Sequence, residues 1–152
     1  MVLMTETPLA AREEPQAWPP PDGEIAPGIL VVDDDGPIRQ VLGAALRRRG
    51  FAVWLAADAA QALAWYRVYR STIDLVLSDV GLPGLRGPEL IGHLQELNPD
   101  LRFCFMTGEL TEPVREELDA CGASWVFPKP FPLREVVEGL WRLAHGAPVQ
   151  VD

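Results

Sequence analysis

Residues 29–35 read Ile-Leu-Val-Val-Asp-Asp-Asp, so a short apolar run passes directly into three carboxylates. An apolar run of this length that is bounded by polar residues is typical of a buried strand. Similar runs later in the chain predict further strands at 51–55, 73–77, 101–106 and 125–127. Longer amphipathic segments separate these runs, so strands and helices are expected to alternate from residue 28 onward.

The segments between the strands carry recognisable helix ends. Asp35 and Gly36 precede Pro37, which suits a first helical turn, and Gly50 is a good helix terminator. Comparable signals predict further helices at about 58–70, 88–97, 112–121 and 133–145. This alternation predicts an α/β fold with a doubly wound parallel sheet, because parallel strands need crossover connections and these are right-handed.

Length and composition predict one domain with two tails. Residues 1–27 are rich in proline and lack apolar periodicity, so we expect a disordered N-terminal tail. The domain is expected at 28–146 and a C-terminal tail at 147–152. Cys104 and Cys121 show no CxxC or Cys/His spacing, so both are interpreted as reduced structural thiols.

Charge and hydropathy exclude several classes of partner. The chain has 13 Lys and Arg against 22 Asp and Glu, a net charge of -9, which is the wrong sign for binding nucleic acid or an anionic membrane surface. No apolar run approaches the ~20 residues that cross a bilayer, and the N-terminus has no signal-peptide hydrophobic region. A cytoplasmic location is therefore expected.

Reactive side chains stand where the predicted strands end. The first strand runs into Asp33 and Asp34, the third into Asp79, the fourth ends at Thr107 and the fifth leads to Lys129. Ligands of such sheets bind beyond the carboxyl ends of the strands, so these side chains should converge. Clustered carboxylates suit a hard cation such as Mg²⁺, while a hydroxyl and an ammonium suit phosphoryl oxygens. The pattern predicts a magnesium site that holds a phosphoryl group.

Four motifs resemble, in order and spacing, those of the response-regulator receiver family over about residues 28–145: Val31-Val32-Asp33-Asp34-Asp35, Asp79-Val80-Gly81-Leu82-Pro83-Gly84, Met106-Thr107-Gly108 and Lys129-Pro130-Phe131. The resemblance implies a flavodoxin-like (βα)5 fold with strand order 2-1-3-4-5. It also implies a cis peptide bond between Lys129 and Pro130.

The resemblance further implies a role for each matching residue. Asp79 would accept a phosphoryl group from a histidine kinase or a phosphotransfer protein, and Thr107 and Lys129 would contact that group. Mg²⁺ would be bound by Asp34 and Asp79 directly, by Asp33 through water and by the backbone carbonyl of Gly81. Since residues 147–152 are too few for an output domain, we expect a single-domain regulator that signals through protein contacts. The resemblance also allows a dimer through helix 4, strand 5 and helix 5.

The sequence departs from the family at one informative position and leaves other functions open. Val126 stands three residues before Lys129, where receivers often carry an aromatic side chain that swings inward on activation. Asp33 and Asp35 with a Thr and a Lys also suit a phosphohydrolase of the haloacid-dehalogenase type, although Asp35 is better explained as a helix cap. A receiver-like scaffold that is never phosphorylated is the other alternative.

Overall fold

The computed structural model describes residues 26–149, and this part of the chain forms five strands that alternate with five helices. The sheet is parallel with the order β2-β1-β3-β4-β5, so the flavodoxin-like prediction is confirmed. In chain order the elements are β1 (Gly28–Val32), α1 (Gly36–Arg49), β2 (Ala52–Ala56), α2 (Ala59–Tyr69), β3 (Leu75–Asp79), α3 (Gly87–Leu97), β4 (Arg102–Thr107), α4 (Glu112–Cys121), β5 (Trp125–Pro128) and α5 (Leu133–Ala144). Of the N-terminal tail predicted at 1–27, residues 1–25 lie outside the described part of the chain.

The helix ends follow the capping signals of the sequence. The Asp35 carboxylate accepts the N–H of Ile38 at 3.1 Å, which confirms its interpretation as the cap of α1. Asp58 caps α2 in the same way through the N–H of Gln61 at 2.8 Å. α4 ends at Gly122, whose φ of 86° lies in the left-handed region that glycine adopts without strain.

The third strand begins two residues later than the apolar pattern predicts. The N–H of Ile73 is bonded to the Tyr69 carbonyl at 3.0 Å, so Ile73 closes the turn after α2. The N–H of Gly28 donates to the carboxylate of Asp74 at 2.9 Å, which fixes the start of β1 against the same turn. β3 therefore extends through the polar residues Ser78 and Asp79, and Asp79 pairs with Met106 of β4.

Apolar side chains pack on both faces of the sheet. One core lies beneath α1 and α5, where Ile29 and Val31 of β1 meet Leu140 of α5. The other lies beneath α2, α3 and α4, where Leu30 and Val32 point. Trp54 and Trp65 belong to this second core, and burying rings of this size contributes strongly to stability. Both faces are covered, so the sheet can hold polar side chains rigidly at its ends.

The described residues contain no helix that is both long enough and apolar enough to span a bilayer. The predicted cytoplasmic location stays a prediction. Of the predicted C-terminal tail, residues 147–149 are described, and the side chain of Val149 packs beside Gly139 of α5.

Candidate functional site

The carboxyl ends of four strands bring the predicted site residues to one edge of the sheet. Asp33 follows β1 directly and is fully buried, whereas Asp79 is the last residue of β3 and is partly exposed. Thr107 ends β4 and is buried, and Lys129 follows β5. The N–H of Lys129 donates to the carbonyl of Thr107 at 2.8 Å, so the last two strands hold these residues side by side.

Three carboxylates form an acidic cluster at this edge. Asp33, Asp34 and Asp79 each offer an oxygen, and these oxygens lie within 4.8 Å of one another. The Asp33 carboxylate accepts the N–H of Asp35 at 2.9 Å, which fixes its orientation. Arg39 donates to the Asp33 carbonyl at 2.6 Å and anchors the backbone here. The buried member of the cluster, Asp33, is thus held in place by hydrogen bonds to its side chain and to its backbone.

Lys129 bridges two of the carboxylates. Its Nζ lies 2.9 Å from Asp33 Oδ2 and 3.1 Å from Asp79 Oδ2. Burial raises the pKa of Asp33, although the N–H of Asp35 and the ammonium of Lys129 oppose that rise. Burial alone would lower the pKa of Lys129, but its hydrogen bonds to the two carboxylates raise it overall. Lys129 therefore carries its charge at neutral pH and offsets part of the acidic charge.

The donor set fits a hard divalent cation. Oxygen ligands on the three carboxylates are the type that Mg²⁺ prefers, and one lysine cannot balance three negative charges. The N–H of Gly81 donates to Asp79 Oδ1 at 3.2 Å, so the chain turns back over the site after β3. The predicted metal role of the Gly81 carbonyl stays a prediction.

Thr107 and Lys129 add a hydroxyl and an ammonium to the carboxylates. Thr107 Oγ1 accepts the N–H of Glu109 at 3.1 Å, which shapes the loop after β4. The hydroxyl hydrogen of Thr107 remains available to donate to an anion. The peptide bond between Lys129 and Pro130 is cis, as the resemblance implied.

Two supporting residues were not identified from the sequence. A Cβ on Gly87, the first residue of α3, would lie 2.4 Å from the carbonyl oxygen of Asp79, so no larger residue fits against this strand end. Arg39, which anchors Asp33, was also missed. The Gly-Pro pair at 87–88 is a recognisable helix start, but its contact with β3 requires knowledge of the fold.

Comparison with known proteins identifies the family. A sequence model described as response regulator receiver domain matches residues 29–140. The chain belongs to the response regulator receiver family. Receivers of this family are signalling domains of two-component systems rather than classical enzymes, and they interact with histidine kinases and phosphotransfer proteins. They bind Mg²⁺ at an acidic pocket. The phosphohydrolase alternative is not supported.

Individual relatives agree with this assignment. The chain is 31% identical over 119 residues to the response regulator receiver protein CpdR of Brucella abortus, and the match covers 78% of this chain and 98% of CpdR. It is 29% identical to the solved structure of the chemotaxis protein CheY4 of Vibrio cholerae, with a TM-score of 0.71, covering 77% of this chain and 98% of CheY4.

Other curated relatives are much longer than this receiver. The chain is 30% identical over 131 residues to the sensor kinase CckA of Brucella abortus, and the match covers 86% of this chain but 14% of CckA. Matches to two NtrC regulators likewise span 22% and 23% of those proteins. These matches concern a receiver-sized part of each relative, so they carry no inference about the activities of the whole proteins.

Proposed function

We propose that this receiver accepts a phosphoryl group on Asp79 in a Mg²⁺-dependent reaction and signals through phosphorylation-dependent protein contacts. One observation carries the proposal: the Asp79 carboxylate lies among Asp33, Asp34 and the Lys129 ammonium, which is 3.1 Å from Asp79 Oδ2. A partly exposed carboxylate that is flanked by other carboxylates and a fixed cation is well placed to attack phosphorus.

The phosphoryl group would come from a phosphohistidine on a partner kinase or phosphotransfer protein. An oxygen of Asp79 forms a bond to phosphorus as the bond between phosphorus and the donor imidazole nitrogen breaks. The electron pair of the broken bond stays with the imidazole, which takes up a proton from solvent. Lys129 neutralises negative charge on the transferring oxygens, and the Thr107 hydroxyl donates a hydrogen bond to one of them.

The residues present fit the predicted metal role. Asp34 and Asp79 would hold Mg²⁺ directly, Asp33 would hold it through water and the carbonyl of Gly81 would complete the protein's share. When bound, Mg²⁺ supplies positive charge that offsets the negative charge on the phosphoryl oxygens. Asp33 also positions Lys129 through the 2.9 Å contact between Nζ and Oδ2.

The surface beside the site suits a protein donor. Val41 of α1 is 54% exposed, and shallow apolar depressions run from it to Lys129 along Ile38, Pro130, Phe131 and Leu133. A donor that presents a histidine to Asp79 must contact the surface around the site. An amphipathic helix of a kinase or phosphotransfer protein fits such an apolar strip.

Labelling with acetyl phosphate tests the proposal. Wild type should take up one phosphoryl group in Mg²⁺, and Asp79→Asn should take up none because the amide is not a nucleophile. Asp100→Asn is the matched control, since Asp100 is exposed in the loop before β4 at the other end of the sheet. Labelled Asp79→Asn would show that another residue accepts the phosphoryl group and would overturn the assignment of Asp79. Unlabelled wild type would leave a receiver-like scaffold that binds partners without phosphorylation.

Magnesium binding tests the metal role separately. Asp34→Ala should weaken Mg²⁺ binding, measured by titration calorimetry, and should slow labelling, because it removes one of two proposed direct carboxylate ligands. An unchanged Mg²⁺ affinity would contradict the role assigned to Asp34, whatever the labelling experiment shows for Asp79.

A further inference from the structure

α4 is thinly attached to the sheet. Of its residues, all of which lie in the described part of the chain, Leu118 is the one that is fully buried. Val114 and Cys121 pack against the same core but remain partly exposed. Buried apolar area is the main source of helix attachment, so α4 can shift at lower free energy than a helix with a fully buried face.

A bidentate ion pair joins α4 to the connection between β3 and α3. Arg86 Nη1 and Nη2 donate to Glu117 Oε2 and Oε1 at 2.8 and 3.0 Å. The guanidinium of Arg86 lowers the pKa of Glu117, so the pair is fully charged at neutral pH. This parallel geometry is the strongest arrangement that an arginine and a carboxylate can form, and it fixes direction as well as distance.

The arginine end of this pair is fixed to the phosphoacceptor strand. Arg86 is the N-cap residue of α3, and the next residue, Gly87, donates its N–H to the Val80 carbonyl at 3.0 Å. A Cβ on Gly87 would meet the Asp79 carbonyl oxygen at 2.4 Å, so the two backbone segments lie in direct contact. A change in the backbone at Asp79 therefore has a direct path to Arg86 through Gly87.

The glutamate end belongs to a helix that forms one wall of a cavity. A cavity of about 550 Å³ lies between α4, β5 and the start of α5. Arg115 and Asp119 of α4 line one side, and Trp125, Val126 and Glu135 line the other. Because the α4 wall is thinly attached, its position sets the width of this cavity.

We propose that the Arg86–Glu117 pair is a latch that holds α4 in place before phosphorylation and releases it when Asp79 is phosphorylated. The inference rests on the proposed function and extends it to the regulation of a second surface. The two hydrogen bonds measure 2.8 and 3.0 Å. Hydrogen bonds of this kind extend to about 3.2 Å, so a displacement of about 1 Å at Arg86 away from Glu117 would break at least one of them. Arg86 and Glu117 are positioning residues, since neither touches the reacting atoms.

The first test needs no phosphoryl group. Amide hydrogen exchange in α4 should be about two- to fivefold faster in Glu117→Gln than in wild type, the range expected for the loss of one exposed ion pair. Exchange in α3 should stay unchanged. Glu116→Gln is the matched control, because Glu116 is the exposed neighbour on the same helix. Equal α4 exchange in wild type and Glu117→Gln would overturn the latch.

The second test adds beryllofluoride and Mg²⁺, which stand in for the phosphoryl group and its metal. Wild-type α4 exchange should rise to the level of Glu117→Gln, and the variant should show little further increase. The charge swap Arg86→Glu with Glu117→Arg should restore slow exchange and the response to beryllofluoride. A full increase in Glu117→Gln, or failure of the swap to restore either property, would contradict the coupling.

The two proposals fail in distinguishable ways. Fluorine NMR shows whether beryllofluoride binds wild type. Absence of binding would overturn the proposed function, and with it the coupling between Asp79 and α4. Amide hydrogen exchange in ligand-free Glu117→Gln would still decide whether the Arg86–Glu117 pair holds α4. Binding without any change in α4 exchange would overturn the coupling alone and would leave phosphorylation of Asp79 intact.

Discussion

α3 and α4 lie on the same face of the sheet and are similar in length, with 11 and 10 residues, yet they are attached in different ways. Both have a proline in the first turn. α3 buries Gly87, Leu90, Ile91 and Leu94, whereas α4, which is described in full, buries Leu118 alone. The start of α3 also touches the end of β3 directly, at Asp79.

The difference indicates that the two helices have different roles: α3 supports the site, and α4 is free to move. The proposed group transfer requires that Asp79 be held within a fraction of an ångström of its productive position, and the contact of α3 with β3 can provide this support. A signal requires an element that moves at low cost, and α4 has the small buried face that permits movement. A single short connection, residues 80–86, links these two parts of the molecule, because it follows Asp79 in the chain and carries Arg86, which pairs with Glu117 of α4.

The largest expected effect follows from the contact between Gly87 and Asp79. In Gly87→Ala the new Cβ would meet the Asp79 carbonyl oxygen at 2.4 Å, so the end of β3 or the start of α3 must move. A displacement of about 1 Å at a reacting group costs on the order of 100-fold in rate. We expect labelling by acetyl phosphate to slow by about that factor, measured as the initial rate in Mg²⁺.

Gly92→Ala is the control for this prediction. Gly92 lies on the exposed side of the same helix, and a Cβ there would meet no atom within 4 Å. Replacement of an exposed helical glycine by alanine should stabilise the protein by up to ~1 kcal/mol and leave labelling unchanged. A Gly87→Ala protein that is labelled at the rate of Gly92→Ala would show that α3 is not the support of the site.

The next effect concerns stability. Leu94 of α3 and Leu118 of α4 are both fully buried. Leu94→Ala should cost about 3–5 kcal/mol in the free energy of unfolding, because the cavity is enclosed by well-packed neighbours. Leu118→Ala should cost about 2 kcal/mol or less, because α4 can move inward and fill part of the space. Urea unfolding of the two variants compares the attachments directly, and equal losses would contradict the comparison.

Much of α3 and α4 could be predicted from the sequence, but the difference between them could not. Helix starts at Pro88 and Glu112 and the end at Gly122 follow from local capping chemistry, and the site residues follow from the places where apolar runs stop. The apolar residues of α4 have the spacing of a buried stripe: Val114, Leu118 and Cys121. The local sequence therefore does not indicate that Val114 and Cys121 remain partly exposed. How deeply a helix is buried depends on the space its neighbours leave.

Other features depend on contacts between distant parts of the chain. Arg86 and Glu117 are 31 positions apart and belong to no local pattern. The apolar pattern predicts the third strand two residues too early, because Ile73 is apolar yet closes a turn, while the polar Ser78 and Asp79 pair within the sheet. The boundaries of such a strand depend on its pairing with neighbouring strands, and the hydropathy of the sequence does not show that pairing.

The two cysteines offer a smaller test of the same contrast. Burial raises the pKa of the Cys104 thiol to about 12, and Cys104 is buried on β4 between β3 and β5. Burial also raises the pKa of the Cys121 thiol, but Cys121 ends the thinly attached α4 and is partly exposed to solvent. At pH 8, iodoacetamide should modify Cys121 and leave Cys104 unmodified, because the thiolate is the reactive form and Cys104 is neither ionised nor accessible. Peptide mass spectrometry identifies the modified residue.

Cys121→Ser provides the control for that experiment. The variant should remain unmodified in buffer and react at Cys104 only in a denaturing concentration of urea. Modification of Cys104 in the native protein would mean that the central sheet opens as readily as α4, which would remove the contrast between the two regions.

The smallest effect is expected at Val126, which lines the cavity beside α4 and is partly buried on β5. Many receivers carry an aromatic ring at this position, and a valine has no ring to swing. We therefore expect beryllofluoride to shift the amide NMR signals of residues 107–112 while the Val126 rotamer stays unchanged, because Gly108 lets the loop backbone move without a side-chain switch. In Val126→Ala the same shifts should persist at nearly full size, and stability should fall by about 1 kcal/mol through lost packing. A rotamer change at Val126, or loss of the 107–112 shifts in Val126→Ala, would mean that the signal passes through β5 rather than through the movable helix beside it.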